Sequence, residues 1–136
     1  MNILINDHRK IFSIQKEFNE VFPYLKIEFY SKPHKHDGPS SKKIMKHPSK
    51  TLGQCRVAHN KGTLTIMPEM TVADLEQNFN DVYGLSVQIL RKSGNAWLET
   101  IRTNNWTLNE QNRQGMELSS HQQQLMGSIN ETETAE

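Results

Sequence analysis

Between Lys32 and Lys50 the chain carries six lysines (Lys32, Lys35, Lys42, Lys43, Lys46 and Lys50) and three histidines (His34, His36 and His47), with Asp37 as the only acid. Cations at this density can neutralise the phosphates of a nucleic acid or meet an acidic protein surface. The same composition suits a solvated loop and a polar edge strand, where lysines discourage edge-to-edge pairing. No aromatic side chain lies inside the stretch to stack on a base, and Tyr30 only precedes it. Nucleic-acid binding through these six lysines is therefore the second of two functional readings.

A transition metal would look first to His34, His36 and Asp37, then to His47, Cys55 and His59. Alternate residues of an extended segment share a side, so His34 and His36 could converge. Their spacings match no closed zinc pattern, and no metal is expected. Cys55 and His59 pair a nucleophile with a base on paper, at a spacing that shares a face only within a helix. The chain has no glycine-rich phosphate cradle, no serine elbow and no carboxylate pair in a distinguishing context. The expectation is a protein without catalytic residues or cofactor.

The densest unusual cluster runs from Arg91 and Lys92 through Ser93-Gly94-Asn95 to Trp97, with Glu99, Arg102 and Trp106 close behind. Trp and Arg are the types that most often anchor protein interfaces. Arg91, Lys92, Trp97 and Arg102 are accordingly the expected contact residues of a protein-binding or adaptor module that can also self-associate. Trp106, beside a helix cap, reads as part of the core instead.

These residues sit in a chain that resembles itself. Residues 3–24 lie ungapped on 64–85, matching Ile5 with Ile66, Phe18 with Phe79, Asn19 with Asn80 and Val21 with Val82. After one deletion Leu25, Ile27 and Phe29 meet Leu85, Val87 and Ile89, and later Gly38–Gly53 runs along Gly94–Asn109. A repeat of about sixty residues is one supersecondary unit doubled. Each copy opens with a short apolar strand. Ile11, Ile14, Phe18, Val21 and Phe22 then recur at helical spacing, as do Val72, Leu75, Phe79, Val82 and Tyr83. Thr71 with Asp74 predicts a cap for the second helix, and Asn6 or Asp7 for the first. Period-two strands follow at Leu25–Phe29 and Leu85–Ile89, and Ser93-Gly94-Asn95 predicts a hairpin turn. Thr51-x-x-Gln54 and Thr107-x-x-Glu110 have capping-box spacing and close each copy with a short helix.

The expected fold is therefore α+β: two diverged copies of a β-α-β-β-α unit, 3–60 and 63–118, sharing one sheet with helices on one face. Residues 1–118 form one domain, and the polar, acidic 119–136 read as a disordered tail. An apolar fraction of 35% is low for a packed chain and agrees with an unpacked part. The net charge of +1 conceals a division: residues 1–60 carry eleven Lys/Arg against five Asp/Glu, and 61–136 carry five against ten. Such a division permits a basic face of one molecule to meet an acidic face of another. The lone Cys55 excludes an internal disulfide. Nothing near the start resembles a secretory signal, and no apolar run is long enough for a membrane span, so a soluble cytoplasmic protein is expected.

The run Gly84-Leu85-Ser86-Val87-Gln88, Arg91-Lys92-Ser93-Gly94, Trp97-Leu98-Glu99-Thr100 and Trp106-Thr107-Leu108 resembles a small family of uncharacterised bacterial proteins, most firmly over 51–115. The resemblance implies a bacterial, cytoplasmic protein and brings no activity, ligand or site with it.

Overall fold

A computed structural model describes residues 1–31 and 44–134, with side chains through residue 121. Four of the six lysines (Lys32, Lys35, Lys42 and Lys43), together with His34, His36 and Asp37, fall outside the described residues, as does most of the polar return strand expected over 40–46. The elements in order are β1 (Asn2–Ile5), α1 (Ile11–Val21), β2 (Leu25–Tyr30), a 3-10 turn (Leu52–Cys55), β3 (Gly62–Thr65), α2 (Val72–Tyr83), β4 (Ser86–Ser93), β5 (Ala96–Glu99), a second 3-10 turn (Ile101–Thr103) and α3 (Leu108–Thr134).

The fold is α+β, but the strands form two antiparallel sheets instead of one. β1 pairs with β3, setting Ile3 opposite Leu64. β2 pairs with β4, setting Ile27 opposite Ile89 and Glu28 opposite Gln88, and β5 adds to β4. Alternation along a strand reveals which side is buried, not which backbone edge it pairs with, so it cannot count sheets. The apolar sides of both sheets meet in one core. Ile3, Ile5, Leu64 and Ile66 come from the smaller sheet, and Leu25, Ile27, Phe29, Val87 and Ile89 from the larger.

The helices fill that core as their spacing predicts. Phe18 and Phe79 are both fully buried, and Phe79 meets Phe29 edge-on at 6.0 Å between ring centroids. Val21 and Val82, expected on the apolar faces, are instead half-exposed at the rim. The two helices begin differently. Thr71 caps α2 through a reciprocal pair with Asp74. The first residue before α1 is Lys10, which offers no side-chain cap; Asn6 instead accepts the amides of His8 and Arg9 in a local turn. The exposed amides of α1 are met by the chain further on: Ile11 N–H donates to the Lys50 carbonyl and Phe12 N–H to that of Pro48. In α2 the corresponding donors, Val72 and Ala73, reach the carbonyls of Trp106 and Asn104. α2 stops at Gly84, whose φ of 62° turns the chain out of the helix, with its N–H bonded to the Phe79 and Asn80 carbonyls.

α3 is longer than the sequence predicts. The short closing helix predicted from Thr107 continues through Thr134 and takes in residues 119–134. Its docking face is polar and small, so a search for apolar periodicity passes over it. Gln111 is fully buried, donating to the Thr103 carbonyl at 2.7 Å and accepting from Arg91 at 2.9 Å. Asn112 accepts the Tyr24 amide at 2.8 Å, and Ser119 accepts the Gly94 amide at 3.2 Å. Together with Leu108 these positions recur at helical spacing. Gly115 lies among them where the helix presses on the sheet. A Cβ there would stand 2.8 Å from the Tyr24 Cβ and 3.2 Å from the Lys92 carbonyl oxygen.

Alanine improves helix propensity over glycine by about 1 kcal/mol, yet overpacking a tight contact costs about 1–3 kcal/mol. Gly115→Ala is expected to lower stability despite the better helix former, read as a reduced urea midpoint with an unchanged slope. An increase would mean that α3 does not press on Tyr24 and Lys92.

Candidate functional site

The hairpin singled out by its Trp and Arg content forms as expected. Gly94, at φ 61°, makes its turn, and β5 lies along the outer edge of β4 with Lys92 opposite Trp97. All four residues of β5 are exposed. Trp97 is 36% exposed, Leu98 42%, and Ile101 just beyond the strand 61%. On the face of Trp97 lie Lys92 and Lys26, the latter with its Nζ 5.8 Å from the indole centroid. Lys26 also holds Glu28 at 2.8 Å, and that buried carboxylate accepts a further bond from Gln15. Desolvation, with Glu28 and Glu99 nearby, pushes the Tyr30 hydroxyl above its ordinary value.

Of the four expected contact residues, the structure brings Lys92 and Trp97 together. Arg91 points to the other face, where its guanidinium stacks 5.5 Å from the Trp106 ring and donates to Gln111. It braces α3 against the sheet. Strand alternation carried the signal, since Arg91 follows the buried Ile89 by two residues. Arg102 is exposed in the 3-10 turn beyond β5. Of the two described lysines in the basic segment, Lys46 is half-buried and donates its amide to the Phe29 carbonyl. Lys50 is exposed, with its carbonyl capping α1.

β5 pairs only with Leu90–Ser93, so β4 continues beyond the hairpin without it. Here a groove of about 670 Å³ opens between α2, β4 and the 101–104 turn. Glu76, Asn80 and Asp81 line it from α2, Val87 and Gln88 from β4, and Tyr30, Thr100 and Ile101 from the remaining sides. Among the described residues the lining holds two carboxylates and no Lys, Arg or His. Thr100 is itself buried, its hydroxyl donating to the Ile89 carbonyl at 2.6 Å.

A third cluster escaped the sequence reading because its members lie far apart in the chain. Arg56, with its side chain wholly enclosed, donates to Asp7 Oδ1 from Nε and from a terminal nitrogen, and to the Tyr83 carbonyl from the other. The exposed His59 places Nδ1 2.6 Å from Asp7 Oδ2. Desolvation acts to raise the Asp7 carboxyl, but hydrogen bonds and charge from Arg56 and His59 outweigh it and hold the group below its ordinary value. Cys55 and His59 are engaged separately: the thiol donates to the Thr51 carbonyl, and burial pushes it up, away from the reactive thiolate. No helix among the described residues is long and apolar enough to cross a membrane.

No protein-family model matches the chain, and comparison with curated proteins and with solved structures finds no similar protein.

The Asp7 cluster sets a pH dependence. A carboxyl held low in the folded state contributes stability above its unfolded pKa and loses it as pH falls through the depressed folded value. Asp7→Asn is therefore expected to be less stable than the parent at neutral pH, with the difference shrinking toward strong acid. Urea midpoints measured across that range test this, and a constant difference would remove the charged Asp7 from the account.

Proposed function

We propose that the protein is a non-enzymatic protein-binding or adaptor module that associates along the outer edge of β5, with a second copy of itself as one partner. The observation that carries this reading is the exposed β5 edge with Trp97, Leu98 and Ile101. An edge strand with large apolar side chains, and with no covering element among the described residues, is a template for another strand. In the antiparallel ladder Arg91 and Leu98 exchange bonds, which turns the amides of Trp97 and Glu99 outward. The face of Trp97 carries Lys26 and Lys92 beside Glu99, so a two-fold copy can set Glu99 against the partner's lysines.

We also infer that the two halves are diverged copies of one unit. Supporting this, Ile3 pairs with Leu64 and Glu28 with Gln88, positions that the self-alignment equates. The isolated bridge Lys10–Thr51 in the first half has its counterpart in Thr71–Thr107. Leu52 N–H bonds the Arg9 carbonyl as Leu108 N–H bonds that of Met70, both at 2.8 Å.

Two substitutions test the edge. Trp97→Ala removes a ring about a third exposed and should cost about 2 kcal/mol, short of the ~3–5 kcal/mol of a buried Trp. Glu99→Pro deletes an outward amide and leaves the β4 ladder intact. Sedimentation over a concentration series is expected to show self-association in the parent and its loss in both variants. A parent that stays monomeric, together with failure of β5-edge strand pairing to any protein, would end this reading.

A further inference from the structure

We propose that the groove beside β4 docks an extended segment of a protein partner bearing a lysine or arginine, which adds to the edge of β4 at Val87 as a short strand. This site is separate from the β5 edge.

The ladder shows why Val87 offers its backbone. Lys92 N–H donates to the Tyr24 carbonyl at 2.9 Å, one step beyond the paired register of β2 and β4. Bonded pairs alternate along an antiparallel ladder. Leu90, Gln88 and Ser86 therefore turn inward to β2, whereas Arg91, Ile89 and Val87 turn outward. The described contacts agree. Ile89 uses its outward groups on Glu76 and Thr100, and Arg91 faces β5. Val87, next in the alternation, lies past the end of β5 and lines the groove, and among the described residues no group pairs with its outward N–H or C=O. Buried backbone groups are almost always paired, by protein, water or ligand, and a strand supplies both partners at once.

The corresponding edge of β2 is closed by the chain itself. Gln15 donates from Nε2 to the Ile27 carbonyl at 2.9 Å. At the position that the self-alignment equates with Gln15, α2 has Glu76. A carboxylate has no N–H to give a carbonyl, and Glu76 instead accepts the Ile89 amide. One residue type thus closes one edge and leaves the other available. Side chains of an added strand would alternate between the exposed Ile101 and the acidic wall of α2, where Asp81 stands exposed. Among the described residues the lining offers the exposed Asp81 carboxylate and no cation, which favours a positively charged side chain. Its volume is that of an ordinary ligand site, ample for two or three extended residues.

The test uses the full chain and a capped pentapeptide, Thr-Val-Lys-Val-Thr, followed by amide chemical-shift titration. The peptide is expected to shift the Val87 and Gln88 amides, and to do so equally in Trp97→Ala. Three changes are expected to weaken binding at least tenfold: methylating the peptide's central amides, replacing its Lys by Glu, and Asp81→Lys in the protein. Because two of these alter only the peptide, a folding defect cannot imitate the result. The proposal is overturned if the peptide shifts no groove amide. It is equally overturned if spermine or the methylated peptide binds as tightly as the parent peptide, since charge alone would then account for binding.

Discussion

Antiparallel pairing between the two halves of the chain is the constraint on which everything else rests. Among the described residues β1 finds its only partner in β3, and β2 pairs with β4, so neither half completes a sheet from its own first two strands. The core is assembled in the same manner, with Phe79 of one half lying against Phe29 of the other. Such pairings must be made across more than fifty residues of chain, and their loop-closure entropy is recovered only when the apolar sides of both sheets are covered together. Everything on the surface inherits its position from this frame. The hairpin projects because β4 is anchored on β2, and the groove exists because α2 is anchored on β4.

What the sequence made legible was whatever leaves a periodic trace in side chains. Phe18 and Phe79, the alternation of Leu25, Ile27 and Phe29, the Thr71 cap and the turn at Gly94 all follow from spacing and residue type. Strand partners leave no such trace, because backbone hydrogen bonds do not depend on which side chain is attached. Two sheets and one sheet therefore read alike. α3 was obscured for a different reason. Gln111, Asn112, Gly115 and Ser119 dock it by hydrogen bonds and close approach, and their hydropathy matches that of a solvated segment.

The candidate surfaces divide along the same line. Trp97 and Lys92 were legible as a pair because a hairpin register places them opposite each other. Arg91 was misplaced by proximity in sequence, although period two assigns it to the side of Ile89. Neither the Asp7, Arg56 and His59 cluster nor the groove at Val87 has a local signature. The first depends on the 6–10 and 56–61 loops converging, the second on β5 ending opposite Leu90, short of Val87.

The unequal caps of α1 and α2 divide the molecule dynamically. α2 also leans on its neighbours, through Val72 and Ala73 to the carbonyls of Trp106 and Asn104, but it adds a cap of its own in Thr71 and Asp74 that stays when those bonds open. α1 has no side-chain cap, and the amides of Ile11 and Phe12 depend on the carbonyls of Lys50 and Pro48. The start of α1 and the 48–50 loop therefore open and close as one unit. Hydrogen exchange at Ile11 and Phe12 becomes a gauge of that loop, and anything that draws the loop away, on either side of the molecule, loosens the first turn of a helix whose next apolar residue, Ile14, is in the core.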